Sequence, residues 1–270
     1  MDNIVMITGA TGGLGRALAL DLAARGATLL LHGRDHERLE SVAEEARRAS
    51  EACTVRTHVA DLADLREVAD LAERVRADES RLDVLVNNAA VGGGEDPTQR
   101  QLSAQGHELR LAVNHLAPHL LTRRLTPLLS EATPGRVVNV TSAGQAPVDF
   151  EDLMMENAYE GVRAYCRSKL ALIMSTFDLA EELDGSGVTV NAVHPAHLMD
   201  TPMVQQSGFH PLAAVDEGVG PVMRLISAAD VEGVTGRYFD RFADRRAHEQ
   251  AYDEEARLRL RKLTEELVGS

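Results

Sequence analysis

A chain of 270 residues, 44% of them hydrophobic, is long enough to bury a sizeable core in one large mixed domain; with aromatics at 3% and no Trp, that core is expected to be aliphatic. A formal charge of −14 argues against a nucleic acid or an anionic membrane as partner, while leaving room for a small basic pocket. Cys53 and Cys166 have no metal-ligand spacing and make no disulfide framework, no apolar run approaches membrane-spanning length, and the first residues run directly into an apolar strand, so a metal-free, soluble, cytoplasmic protein without a signal peptide is expected.

In chain order, the apolar run Ile4-Val-Met-Ile7 leads into Thr8-Gly-Ala-Thr-Gly-Gly-Leu-Gly15, and Leu14, Leu18 and Leu22 then recur at helical spacing. The pattern predicts a buried strand, a glycine turn and a helix over about 13–25 whose N-terminus faces the turn. Unpaired N–H groups at a helix start favour an anion, and glycine lets a pyrophosphate come close to the backbone. A second strand follows over 27–34, and Asp35 opens a charged helix. A third strand, Thr54–Val59, ends at Asp61-Leu62, Asp64 is placed to cap another helix, and 82–87 reads as strand four. Gly92-Gly-Gly94 marks a loop. A long helix is expected over 103–129, interrupted in character near Asn114 and Pro118, then strand five over 136–141. Helix over 161–183, strand six over 188–193, a Pro- and Met-containing segment 195–211, helix over 216–227, a last strand over 236–240 and a polar helix over 253–268 complete the chain.

Strands alternating with helices predict an α/β fold, a doubly wound Rossmann-type parallel sheet with helices on both faces. With no internal repeat or linker, residues 1–270 read as one domain, with substrate-loop insertions near 143–160 and 196–211. Ligands in such folds bind beyond the carboxyl ends of the strands, where the unusual polar residues of this chain fall.

The glycine turn, Asn87-Asn-Ala-Ala90, Val113-Asn-His-Leu116, Val138-Asn-Val-Thr-Ser142 and Tyr165-Cys-Arg-Ser-Lys169, in this order, resemble the motifs of the short-chain dehydrogenase/reductase family over nearly the whole chain. The glycine turn fits the longer, sugar-nucleotide-modifying branch equally well; length and the Asn-Asn-Ala segment favour the short one. Ala90 stands where the family usually has Gly. The phrase 113–122, the long gap from Ser142 to Tyr165 and Arg237-Tyr-Phe239 are similar to retinol-dehydrogenase-type and related carbonyl reductases. The resemblance implies a nicotinamide-dependent oxidoreductase interconverting a carbonyl and an alcohol, with a small-molecule substrate and a homodimer or homotetramer.

The residues suit that chemistry. Tyr165 and Lys169, four apart on a helix, project from one face. A nearby ammonium stabilises phenolate, so Lys169 is expected to lower the Tyr165 pKa toward the useful range for a general acid/base. Ser142 is expected to hydrogen-bond the reacting oxygen. By the resemblance, Lys169 also holds the nicotinamide ribose, and Asn114 holds a water that relays protons to Lys169. Cys166 points roughly 100° away around the helix and is given no chemical role, and His194 and His197 are read as structural.

For the cofactor, Gly33 and Arg34 stand where an NAD site usually places a carboxylate; glycine leaves room for a 2′-phosphate and a guanidinium can pair with it, so NADP(H) is favoured over NAD(H). Asp35 serves as that carboxylate if the strand end is shifted, or equally as a helix N-cap. The resemblance places the cofactor on Gly9, Thr11, Gly13, Leu14 and Gly15, with Asp61 and Leu62 at the adenine, Asn87, Asn88 and Ala89 along the cleft, Pro195, Tyr165 and Lys169 around the nicotinamide, and Thr201 at the carboxamide or a phosphate. Ala196 stands where the family usually has Gly. The apolar residues of 143–160 (Phe150, Leu153, Met154, Met155, Tyr159) and of 196–211 (Leu198, Met199, Met203, Phe209) suit an apolar ligand, or simply pack their loops. Two other functions fit parts of the pattern: a catalytically silent NADP(H)-binding sensor, against which the full set of polar residues argues, and a nucleotide-sugar epimerase or dehydratase, against which the length argues.

Overall fold

Alternation along the first strands decides the layers. In β1 (Ile4–Ile7) and β2 (Thr28–Gly33), Val5, Ile7, Leu29 and Leu31 enter one apolar cluster while Met6 and Leu30 enter another, all fully buried. Strands apolar on both faces need cover on both. The computed structural model, which describes residues 3–269, provides it with helices. In chain order the further strands are β3 (Thr54–Val59), β4 (Val84–Asn87), β5 (Gly135–Val140), β6 (Val188–His194), β7 (Tyr238–Asp240) and β8 (Ala243–Asp244). The helices are α1 (Gly13–Ala24), α2 (His36–Ala49), α3 (Leu65–Asp78), α4 (Leu109–Leu111), α5 (Ala117–Glu131), α6 (Gly161–Glu182), α7 (Pro202–Gln206), α8 (Val215–Ser227) and α9 (Glu254–Gly269). Helices α1, α2 and α8 pack together on one face, α3, α5 and α6 on the other, with α9 laid over α6.

The strand order is β3-β2-β1-β4-β5-β6-β7-β8, parallel throughout except for the antiparallel β8. The chain winds outward from β1 to β3, then returns to β4 on the other side of β1, so the crevice of a doubly wound sheet opens between the ends of β1 and β4. Helix starts follow local chemistry: Asp35 accepts from Arg38 N–H, Asp64 from Arg66 N–H, and Glu160 from the N–H groups of Val162 and Arg163.

Three elements differ from expectation. The helix expected from 103 begins only at Leu109, because Ser103 and His107 close a turn through Gly106, whose φ is 81°. Its irregular middle is a π-helical turn, Ala112–Leu116, centred on Asn114. The segment after β6 carries the short helix α7, capped by Thr201 and started by Pro202, and β8 and a 3-10 turn (Glu249–Tyr252) follow β7. No helix among the described residues is long and apolar enough to cross a membrane.

Candidate active site

The end of β1 is built around close backbone contacts. A Cβ on Gly15 would lie 2.2 Å from Gly9 O, and one on Gly9 would lie 2.8 Å from Ala89 Cα, so neither position has room for a side chain. Thr8 Oγ1 accepts from the N–H groups of Asn88 and Ala89, and Asn88 Nδ2 donates to Thr8 O and Gly9 O. Asn88, expected to line the cleft, therefore locks the turn. Asn87 is a correction: it is 3% exposed, faces the interior and donates to Thr122 Oγ1 and Asn139 Oδ1. Helix α1 starts at extended Gly12 with no side-chain cap and no acidic residue in its first turn, which leaves its N–H groups for an anion. Leu14 and Leu62 are core residues, so only their backbones can meet a ligand.

At the end of β2, Asp35 is the N-cap of α2, its Oδ1 accepting from Arg38 N–H and the rest of the exposed carboxylate facing outward. Gly33 is needed for packing, since a Cβ there would lie 2.4 Å from Thr11 Cγ2. Arg34 is exposed and has no ion-pair partner among the described residues. A second cation stands close by: Arg38 is exposed, its guanidinium reaches Thr11 O at 3.5 Å and would lie 3.5 Å from a Cβ on Gly12. Asp61 accepts from Ala63 N–H through one carboxylate oxygen, which shapes the turn after β3.

Sequence reasoning missed both Arg38 and His32. His32 Nε2 donates to Ala60 O at 3.0 Å and Nδ1 accepts from Gly9 N–H at 3.3 Å, joining the ends of β1, β2 and β3; burial pushes its pKa down to about 4, so the ring is neutral. The signal was a lone histidine in an apolar strand. Arg38 gave none, because a helical arginine one turn past a cap is ordinary.

At the ends of β5 and α6, Ser142, Tyr165 and Lys169 come together. Tyr165 is half-buried and its phenol lies beside the Ser142 hydroxyl, which favours the phenolate form. Lys169 is 3% exposed, its Nζ donates to Val140 O at 2.8 Å and lies 5.7 Å from the centre of the Tyr165 ring. The expected direction of the Tyr165 shift is reversed: burial pushes the phenol up to about 12, against the opposing Ser142 hydrogen bond. Burial also pushes Lys169 down to about 7, which weakens the cation that was expected to stabilise phenolate.

Asn114 is fully buried in the π-helical turn and its amide is already committed. It accepts from Val91 N–H at 2.8 Å and donates to Val91 O at 3.0 Å and to Ser168 Oγ at 2.9 Å. Ser168 then donates to Tyr165 O at 2.7 Å, a connection the sequence did not suggest. Cys166 lies nearer than the helical wheel implied: a Cβ on Gly144 would lie 3.2 Å from its Sγ and 3.4 Å from Ser142 Oγ, and burial pushes the thiol up.

The two segments expected to meet a substrate divide. In 143–160 the apolar residues are engaged by the protein: Phe150 lies under the Arg259 guanidinium, Met155 is 4% exposed, and Tyr159 OH donates to Glu108 at 2.9 Å. In the other segment, Thr201 stands over Gly13 and Met203 over Gly92, across the crevice, Pro195 is buried against Gly218, and Phe209 and Leu212 are 43% and 69% exposed.

This donor set fits a nicotinamide dinucleotide: an uncapped helix start beside side-chain-free turns, exposed guanidinium at the β2 end, and a buried ammonium with two protons left beyond its bond to Val140. Comparison with known proteins agrees. Residues 3–210 match the family model described as short chain dehydrogenase. Retinol dehydrogenase 13 of Mus musculus is 36% identical over 283 residues, covering 98% of this chain and 83% of the relative. Retinol dehydrogenase 14 of Homo sapiens is 35% identical, with 98% and 86% covered. Among solved structures, a short chain dehydrogenase from Escherichia coli CFT073 complexed with NADPH is 27% identical with a TM-score of 0.73, covering 90% of this chain and 97% of that one.

Proposed function

The chain belongs to the short chain dehydrogenase family, and from that premise we propose that it is an NADP(H)-dependent oxidoreductase that interconverts a ketone or aldehyde and an alcohol on a largely apolar small molecule. The observation that carries the reading is the meeting of Tyr165 with Ser142, with Lys169 one turn further on, at the carboxyl end of the sheet, which also holds the uncapped start of α1.

Gly9, Thr11, Gly13 and Gly15, with the N–H groups of α1, hold the pyrophosphate. Arg34 and Arg38 take the 2′-phosphate through charge-assisted bonds. Asp61 and the Leu62 backbone meet the adenine, and Ala89, Pro195 and Thr201 border the nicotinamide. When bound, the cofactor supplies or accepts the hydride at the reacting carbon. Tyr165, a phenol at neutral pH when the protein stands alone, gives its proton to the carbonyl oxygen in reduction and takes the alcohol proton in oxidation. Ser142 Oγ accepts from Gly144 N–H, and its own proton, which favours the Tyr165 phenolate when the protein stands alone, is donated to the same oxygen when substrate is bound. Lys169 holds the ribose, and Asn114 orders a proton-relay water through its backbone, its amide being spent. Leu198, Met203 and Phe209 cover the apolar part of the substrate.

A carbonyl and alcohol panel read by NADPH and NADH absorbance tests this reading. Wild-type turnover with NADPH is expected on apolar ketones, and Tyr165→Phe is expected to lose a factor of ~10² or more in kcat while binding NADPH normally. A Tyr165→Phe variant that turns over like wild type removes Tyr165 as the acid. Stoichiometric NADPH binding without turnover across the panel favours the silent sensor instead.

A further inference from the structure

On the reading above, reaction geometry depends on where the Ser142 hydroxyl points, yet Ser142 lies just past the end of β5, in irregular chain. Its Oγ accepts from Gly144 N–H at 3.0 Å. Its carbonyl oxygen is a point of convergence, taking a hydrogen bond from Gln145 Nε2 at 3.1 Å and another from the Tyr238 hydroxyl at 3.3 Å. Gln145 and Tyr238 thus hold the same carbonyl oxygen from two sides. Gln145 Oε1 accepts from His248 N–H at 2.7 Å. Gln250 then holds Val148 in both directions, at 2.7 and 2.9 Å.

These partners come from far along the chain: Tyr238 stands 96 residues beyond Ser142, in β7, which pairs with β6 and β8 but not with β5. Tyr238 is 4% exposed, in an apolar cluster with Leu170, Ile173 and Ala192. A phenol buried in such a place costs free energy unless its hydroxyl finds a partner, and phenylalanine would fill the same space. The partner it has is the peptide of Ser142. That peptide carries the side chain whose direction matters, and rotating it would swing Oγ away from Tyr165.

We propose that Tyr238 and Gln145 are positioning residues of the reaction: they fix the Ser142 peptide from behind, and act on turnover only through the Ser142 hydroxyl. The same bracing explains why the segment from 245 to 252 lies against the start of the 143–160 insertion, where it anchors Gln145 and Val148.

The test is a double-mutant cycle on the full chain, using a ketone identified in the panel. Tyr238→Phe is expected to lower kcat roughly tenfold, as a small misplacement of a reacting group does, with NADPH affinity and melting temperature near wild type. In a Ser142→Ala background Tyr238→Phe is expected to cost nothing more, whereas a merely structural role would cost the same again. Gln145 is half-exposed, so Gln145→Met provides the same cycle should Tyr238→Phe fold poorly. Wild-type kcat in both variants, or losses that add to that of Ser142→Ala, overturns the positioning role. The proposal rests on the oxidoreductase reading, and the two fail differently: no wild-type turnover on any carbonyl sinks both, while wild-type turnover that depends on Ser142 but not on Tyr238 or Gln145 sinks the positioning role alone.

Discussion

At the end of β1 the left-handed backbone angles fall on glycine, Gly9 at φ 69° and Gly13 at 51°; in the segments flanking the proposed reacting residues they fall on Met155 at 49°, Ala158 at 47° and Leu198 at 45°. A residue with a Cβ in this region carries roughly 1–2 kcal/mol of steric cost, and that cost persists only where surrounding contacts enforce it. Around Met155 and Leu198 such contacts are visible. Met155 is buried within the insertion, with its N–H on Asp152 O, and Leu198 O accepts from Leu212 N–H at 2.9 Å. The proposed nucleotide side of the crevice thus has its unusual backbone written into residue type, while the proposed substrate side has it imposed by burial and by contacts of the chain around it.

The severest way to break this comparison is to put a side chain where space forbids one. Gly15→Val would place Cβ 2.2 Å from Gly9 O and branch it further, so the turn must open. NADPH affinity is expected to fall by roughly 100-fold or more, the equivalent of about 3 kcal/mol, with a lower melting temperature. Fluorescence titration with NADPH reads this directly, and affinity within threefold of wild type would mean the crowding is not binding-critical.

A smaller effect is expected at the β2 end. Arg34→Ala and Arg38→Ala should each weaken NADPH binding by about tenfold, the scale of a lost charged hydrogen bond, and leave NADH nearly untouched. Both effects should shrink with added salt, because both guanidinium groups are exposed. Equal losses for the two cofactors would make the arginines structural.

Those two positions also show what the sequence made legible. The order of strands and helices and the glycine turn were readable because hydrophobic period and glycine sterics are local properties, whereas Ser142, Tyr165 and Lys169 stood out through their resemblance to the family motifs. Asp35 was left between two roles because capping and ribose binding ask for the same carboxylate. Arg38, His32 and Ser168 were missed because their relevance comes from neighbours brought together by the sheet: Thr11 for Arg38, Gly9 and Ala60 for His32, Asn114 for Ser168. The direction of the Tyr165 shift was wrong for a similar reason. Spacing gives the presence of Lys169 but not the burial that depresses the ammonium to about 7 and raises the phenol to about 12.

Both sides of the crevice are backed by neutral buried histidines, His32 behind the glycine turn and His119 behind the Asn114 segment, each pushed down to about 4 by burial. Their folded pKa lies below the unfolded value of about 6.5, so the unfolded chain takes protons first. Their contribution is complete above pH ~6.5 and is lost as pH falls toward 4, about 2 kcal/mol per group at pH 5. His119 Nδ1 has no hydrogen-bond partner among the described residues, so His119→Phe removes the titration without breaking a bond there. Melting curves from pH 7 to 4.5 should therefore be flatter for His119→Phe than for wild type. Parallel curves would show that His119 is not buried neutral as its surroundings require.

The gentlest change tests the substrate side alone. Ala158 is exposed, so its side chain contributes no packing, yet its φ of 47° carries the cost of a Cβ in the left-handed region. Glycine removes that cost and returns part of the gain as extra freedom of the unfolded chain, since replacing alanine by glycine at an ordinary site costs about 0.5–1 kcal/mol. The balance for Ala158→Gly is a stabilisation between zero and about 1.5 kcal/mol, or at most ~3–6 °C in melting temperature for a protein of this size. The hydrogen bonds on either side, Asn157 N–H to Asp152 and Tyr159 OH to Glu108, anchor the loop without involving the Ala158 side chain, so the conformation should survive the change. The same substitution at Met155 should destabilise instead, because Met155 is 4% exposed and its removal leaves a cavity costing about 2–5 kcal/mol, more than the strain relieved. Opposite signs at two positions only three residues apart would show that the substrate side is held by what its buried side chains touch. A clear loss of stability for Ala158→Gly would mean instead that its backbone is at ease with a Cβ, and the contrast between the two sides of the crevice would fail at that residue.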